Sequence, residues 1–275
     1  MKQVYKKNII ITGGTGLLGS FFYKKYKKKY NIIKYPFRIE NHIKFKNWIK
    51  GKKIDYFIHF AAITTNKKAT KNKINLINTI SSKRILNSLN SFKINTLKYF
   101  LFISTSHVYG SSNQRIKENK KRLPINEYGK SKKRVEDYII KNRQKFSFNI
   151  GIARIFNFTG PNQRKGYFVP DIVQKINKNK LFKGLNKYRD FIHIEDIMLS
   201  INLLLRKQFT LPINICSGYK INLINLCKII NANLTNKKIF FDYKKSSNSF
   251  GCNNLLKSLG IKKFKNISKI LKSYL

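Results

Sequence analysis

Short runs of β-branched and aromatic residues alternate along the chain with longer, lysine-rich stretches whose apolar positions recur at helical spacing. The runs predict strands at Asn8–Thr12, Asn31–Tyr35, Tyr56–Phe60, Tyr99–Ser104 and Asn149–Ile155. The stretches between them predict helices at Leu17–Lys29, Ile74–Ser91 and Gly129–Lys145. Strands separated by helices imply βαβ units, a doubly wound parallel sheet and a ligand at the carboxyl ends of the strands. The segment from Tyr35 to Asp55 is brief and leaves little room for a peripheral strand. Beyond Gly160 the alternation loosens. A helix at about Pro170–Lys178, another ending near Lys207, a short strand at Ile213–Cys216 and a C-terminal helix are expected there. The division predicted is an α/β domain over 1–160 and a smaller lobe over 161–275, with the strand near 213–216 returning to the main sheet.

The first strand runs directly into a turn, Thr12-Gly13-Gly14-Thr15-Gly16-Leu17-Leu18-Gly19. Gly13 permits a tight turn, Gly16 lets backbone N–H groups approach a pyrophosphate, and Gly19 lets the next helix pack close to the strand. An anion there meets the positive end of the helix that Leu17 and Leu18 begin. The pattern predicts a dinucleotide site. No acid stands at the end of the second strand to bind a free ribose hydroxyl. That region reads Lys34-Tyr35-Pro36-Phe37-Arg38, and Glu40 falls late. Against a lysine-rich background Arg38 is the more pointed cation, because only 10 residues are arginine. A basic group there favours a 2′-phosphate, so of the two cofactors NADP is expected over NAD.

Tyr128-Gly129-Lys130-Ser131-Lys132 places a phenol and an ammonium on one helix face, four residues apart. A free phenol titrates near about 10 and is a poor acid–base catalyst at neutral pH. An adjacent ammonium, with the positive charge of an oxidised nicotinamide, stabilises the phenolate and makes the group usable.

Together these motifs resemble the extended branch of the short-chain dehydrogenase/reductase family, the nucleotide-sugar epimerases, dehydratases and reductases. The Gly-x-x-Gly-x-x-Gly spacing is similar to that branch, and so is Asp55-Tyr56-Phe57-Ile58-His59-Phe60-Ala61-Ala62. The resemblance implies a Rossmann-type sheet, with Phe60, Ala61 and Ala62 under the cofactor and Asn75, ahead of a helix, beside it. Phe102-Ile103-Ser104-Thr105-Ser106-His107-Val108-Tyr109-Gly110 resembles the segment that supplies the catalytic hydroxyl. By that likeness Thr105 hydrogen-bonds the reacting oxygen, with Ser104 a neighbouring candidate, and Lys132 also holds the nicotinamide ribose. The family's 4,6-dehydratases carry Asp and Glu at the next two positions. Here Ser106 and His107 stand there, which argues against dehydration. They are expected to line the substrate pocket, and His107 is open to an acid–base role as well.

Ala153-Arg154-Ile155-Phe156-Asn157-Phe158-Thr159-Gly160-Pro161 and Arg189-Asp190-Phe191-Ile192-His193-Ile194-Glu195-Asp196 continue the likeness, which runs from about residue 8 to 227. They imply substrate contacts by Asn157 and by Arg189, whose planar fork suits a diphosphate. Asp196 is expected to order its loop and His193 to be structural. The stretch Asn162–Pro170 is most similar to 4-keto-sugar reductases such as the GDP-6-deoxymannose reductases, with Arg164 a substrate candidate. The resemblance also implies a homodimer through the helices near Ile74–Ser91 and Gly129–Lys145.

Charge changes the picture less than its size. Lys and Arg number 58 against 11 Asp and Glu, a net charge of +47 among 275 residues. A nucleic-acid or membrane partner would fit such a balance. The excess is lysine spread over the whole chain beside abundant Asn, Ile, Phe and Tyr, which points to biased codon composition instead. Three cysteines without ligand spacing, no secretory leader and no long apolar run predict a soluble cytoplasmic protein without a metal. The expected function is reduction of a 4-keto nucleotide sugar. An epimerase that reduces its cofactor transiently is the alternative, and a non-catalytic nucleotide- or nucleic-acid-binding relative is a remoter one.

Overall fold

A computed structural model describes residues 6–64, 69–92, 94, 96–163, 165–177, 181–234, 237–244 and 247–266. In chain order it opens with β1 (Asn8–Thr12), α1 (Leu17–Tyr26), β2 (Asn31–Lys34), α2 (His42–Ile49) and β3 (Tyr56–His59). A helical stretch follows as α3 (Lys71–Ile74), a π-helical segment (Asn75–Ser81) and α4 (Ser82–Ser91). Then come β4 (Tyr99–Thr105), α5 (Glu127–Asn142), β5 (Asn149–Ile155), β6 (Asn157–Thr159) and α6 (Phe168–Asn177). The remainder is β7 (Tyr188–His193), α7 (Ile194–Lys207), β8 (Pro212–Ile215), β9 (Lys220–Asn222), α8 (Leu223–Leu234) and α9 (Asn254–Ser258).

The larger sheet has the order β2-β1-β3-β4-β5-β8 and is Rossmann-type; a smaller sheet is ordered β6-β7-β9. β1 pairs in parallel with β2 and β3, and β3 with β4. All four residues of β3 and all seven of β4 are buried, as expected for strands covered on both faces. The chain leaves β1 for β2 on one side and returns as β3 on the other. That reversal is where open α/β sheets hold ligands at their strand ends.

Two compact units interleave along the chain. One comprises Met1–Tyr109, Arg122–Arg154 and Ile201–Ile213; the other comprises Gly110–Lys121, Ile155–Ser200 and Asn214–Leu275. The first is built on a core that includes Ile10, Phe45, Phe57, Phe100, Phe102 and Val135. The second packs Val169, Ile172, Phe182, Phe191 and Leu226. Cys216, Cys227 and Cys252 are buried thiols. Among the described residues no helix is long and apolar enough to cross a membrane.

Several expected boundaries move for local reasons. Tyr35 still donates its N–H to Ile11 O at 2.9 Å, but Pro36 has no N–H to give, and β2 ends at Lys34. β4 extends through Thr105. The 35–55 segment holds a helix, α2, capped by Asn41 and burying Phe45 and Ile49 four residues apart. The helix expected from Ile74 starts at Lys71, where Thr70 Oγ1 accepts from Lys73 N at 3.2 Å. Asn75 therefore lies inside a continuous helical stretch and not ahead of it.

Candidate active site

The turn after β1 is shaped by close backbone approach. Gly13 has φ +67°, and a Cβ there would sit 2.7 Å from Ala61 N; a Cβ on Gly19 would meet the carbonyl oxygen of Gly13. Gly16 N donates to Gly13 O at 3.0 Å and closes the loop. Gly16 caps α1 without a side-chain hydrogen bond, and the first turn of α1 holds no acid. The amides of Leu17, Leu18 and Gly19 thus open a helix with no side-chain cap and no acid in its first turn, an arrangement that fits an anionic pyrophosphate. Phe60 packs on Phe22 with ring centroids 5.8 Å apart, and Ala61 N donates to Thr12 Oγ1 at 3.4 Å, so this part of the expected cofactor set does converge.

Two expected members do not. The Arg38 side chain is 81% exposed and pairs with Glu40 at 3.7 Å. Asn75 accepts from Arg134 Nη1 at 3.3 Å on the surface. The cation laid against the glycine turn is Lys34: a Cβ at Gly14 would come 2.9 Å from Lys34 Cγ, and the ammonium lies 3.8 Å from the Tyr23 ring centroid. The strand's last side chain reaches the turn directly, whereas Arg38 lies beyond Pro36 in a loop.

A buried hydrogen-bond chain joins the turn to α5. Ser82 Oγ donates to Asn78 O at 2.7 Å, so it accepts from His59 Nε2 at 2.9 Å. His59 Nδ1 then accepts from Thr12 Oγ1 at 2.8 Å. Asn78 accepts from Ile63 N and donates to Ile63 O, both at 2.8 Å, and donates to Ser131 Oγ at 3.1 Å. Ser131 Oγ in turn donates to Tyr128 O at 2.8 Å. Burying Asn78, Thr79 and Ser81 on one stretch accompanies the widening into a π-helix, and Ser81 Oγ bonds back to Leu76 O at 2.9 Å.

Burial, reinforced by the charge of Lys132, pushes His59 down to about 3. The unfolded chain takes up that proton near about pH 6.5. The group's contribution is complete above the unfolded value and is lost as pH falls towards the folded one. Melting curves at neutral and acidic pH should therefore show a smaller acid-induced loss for His59→Gln than for the unsubstituted protein. An equal loss in both would exclude the effect.

At the end of β4, Thr105 is buried and its Oγ1 accepts from His107 N at 3.3 Å. Ser106 is buried, and the His107 ring meets the Tyr128 ring edge-on at 5.7 Å. Asn126 caps α5 by accepting from Gly129 N at 2.8 Å, which orients its amide. Its Nδ2 donates to His107 Nδ1 at 2.9 Å, so the neutral imidazole carries its proton on Nε2. A Cβ on Gly129 would strike His107 O, which explains a glycine inside the Tyr/Lys segment. Lys132 is fully buried, donates to Ile103 O at 2.7 Å and lies 4.5 Å from the Phe102 ring centroid. Burial lowers it to about 7, against an upward pull from Glu136. Ser104, the neighbouring hydroxyl candidate, is committed elsewhere: it donates to Glu136 at 2.5 Å.

In the second unit Asn157 stands on β6 opposite Phe191. Arg189, on β7, donates to Tyr188 O at 2.9 Å and Ser247 O at 2.5 Å. Its neighbour Asp190 accepts from Ser217 N, Ser217 Oγ and Gly218 N, and burial pushes it up to about 6. Asp196 accepts from Lys265 N at 2.8 Å, and buried His193 accepts from Glu195 N at 3.2 Å. Arg164 lies outside the described residues. Among those described, no group of His, Cys, Asp and Glu is arranged to hold a metal.

Known proteins resemble this chain. A dTDP-D-glucose 4,6-dehydratase from Dictyostelium discoideum is 26% identical over 84% of this chain. The chain spans 63% of that dehydratase's length. A GDP-6-deoxy-D-talose 4-dehydrogenase from Aggregatibacter actinomycetemcomitans is 27% identical, over 76% of this chain and 74% of its own. The structure of RMD from Pseudomonas aeruginosa complexed with NADPH superposes with a TM-score of 0.85 at 18% identity, covering 98% of this chain and 97% of that one. The NAD dependent epimerase/dehydratase family matches residues 9–216. That span runs from the strand before the glycine turn to the end of the segment containing β8, and the chain belongs to that family.

Proposed function

We propose that this protein is an NAD(P)-dependent nucleotide-sugar reductase in which Tyr128 gives a proton to the oxygen of a 4-keto sugar. The observation that carries the reading is that Lys132 Nζ donates to Ile103 O at 2.7 Å, two residues before Thr105, while the Tyr128 ring meets His107, two residues after it. Ser106 and His107 stand in place of the acid and base that dehydration needs. A dinucleotide held at the glycine turn would supply the hydride. Gly13, Gly16 and Gly19 leave room for its pyrophosphate against the amides of Leu17 and Leu18, with Ala61 and Ala62 alongside. Thr105 Oγ1 hydrogen-bonds the substrate oxygen, Tyr128 protonates it, and the Lys132 ammonium favours the resulting phenolate. Asn157 and Arg189 contact the nucleotide sugar. A homodimer is proposed through the exposed Leu76 and Ile140 on the helical stretch before β4 and on α5.

The test is to incubate the protein with NADPH and a panel of nucleotide-linked 4-keto sugars and to follow loss of the reduced cofactor. Stoichiometric consumption with one of them is expected. Sugar conversion without net consumption would instead make the protein an epimerase.

NADP is the cofactor proposed, with Lys34 as the residue that selects it. A hydrogen bond to a charged group contributes about 1.5–3 kcal/mol, so Lys34→Asp should weaken NADPH by about tenfold or more relative to NADH. Arg38→Ala, at an exposed ion pair, should change that ratio less than about twofold. Fluorescence titration with both cofactors checks the pair.

A further inference from the structure

Glu136 is a buried carboxylate one helical turn beyond Lys132 and two beyond Tyr128, on the same face of α5. Arg154, on β5, engages it with Nε at 3.1 Å from each oxygen and Nη2 at 2.7 Å from Oε2. Arg122 Nη1 adds a bond at 3.1 Å, and Ser104, the residue before Thr105, donates at 2.5 Å. Arg154 is itself held by Tyr109 OH at 2.7 Å, and Arg122 by Asp137 at 2.7 Å. A carboxylate buried this deeply persists only with such partners. The other buried acid of this unit, Asp55, is occupied by Asn8 N and Lys7.

The charged and titratable groups around Lys132 come from several elements: neutral His59 from β3, Tyr128 and Glu136 from α5, Arg154 from β5 and Arg122 from the segment preceding α5. Glu136 is the acid among them. We propose that Glu136 is a positioning residue for the Tyr128/Lys132 pair: clamped by Arg154, Arg122 and Ser104, it ties α5 to the end of β4 and supplies the counter-charge that keeps Lys132 protonated. The direction of the burial effect on Lys132 agrees, since Glu136 opposes it. The assignment rests on the reading of Tyr128 and Lys132 as the acid–base pair.

Lysine labelled with carbon-13 at Cε, followed by NMR through a pH titration, tests this without any substrate. Ordinary lysines titrate near about 10.4, so the signal that moves near neutrality and disappears in Lys132→Arg reports Lys132. Glu136→Gln is expected to lower that midpoint by at least about one unit, a tenfold change in proton affinity. Glu136→Asp should return it most of the way. If Glu136→Gln fails to fold because Arg154 is left uncompensated, the pair Glu136→Gln with Arg154→Met removes both charges and should show a smaller drop in the same direction. An unchanged midpoint in a folded variant overturns the proposal. A lowered midpoint in a protein that turns over no keto sugar would leave it standing and discard the functional reading instead.

Discussion

Tyr128→Phe is expected to lower turnover by about 10²–10⁴-fold, the usual contribution of a positioned acid–base group, while dinucleotide affinity stays within about twofold. The substitution removes one oxygen and retains the ring that meets His107 at 5.7 Å, so the start of α5 keeps its packing. Asn126 still caps the helix through Gly129 N at 2.8 Å, because that bond involves only the backbone of the segment. The loss should therefore fall on kcat, with KM nearly unchanged, as for a group used in the transition state. Steady-state kinetics with the sugar identified in the panel, together with cofactor titration, separates the two parameters. Turnover within about fivefold of the unsubstituted protein would remove Tyr128 from the chemistry and favour a different proton donor, with His107 first in line.

The second large effect is on stability. Arg154→Leu deletes the main partner of a fully buried carboxylate and also its bond to Tyr109 OH. Breaking a buried pair from one side costs about 3–5 kcal/mol, because the remaining charge is left in a poor solvent. For a chain of this size each kcal/mol lowers Tm by about 2–4 °C, so a fall of roughly 10 °C is expected in calorimetry. Leucine fills much of the volume of the arginine stem, which keeps lost packing a minor part. Adding Glu136→Gln should recover more than half of the loss, since it removes the stranded charge. Additive costs in that double variant would mean that the two residues act independently, contrary to their geometry.

Local rules carried much of this protein. The apolar runs at Asn8–Thr12 and Asn149–Ile155 became strands with those same bounds, because strands covered on both faces need no partner to be recognised. The glycine turn was legible from its spacing: Gly19 answers to a contact inside the turn, with Gly13 O, although Gly13 lies against Ala61, far along the chain. Tyr128 and Lys132 share a face by helical periodicity alone.

Long-range contacts were not legible in the same way. That Lys34 and not Arg38 lies against the glycine turn depends on where β2 stops. Asn78 reads as an ordinary polar residue in a helix, yet its amide bonds Ile63 and Ser131, 15 and 53 residues distant. Glu136 stands among 69 charged residues in a chain with 58 cations, and although Arg154 falls in a segment with a family likeness, nothing in the sequence pairs the two before folding brings α5, β4 and β5 together. Periodicity and turn chemistry act over one or two helical turns, so the sequence could announce strands, helices and the phosphate turn. Which polar groups are buried, and with whom, depends on contacts between residues far apart in the chain, and that was settled only when the elements packed.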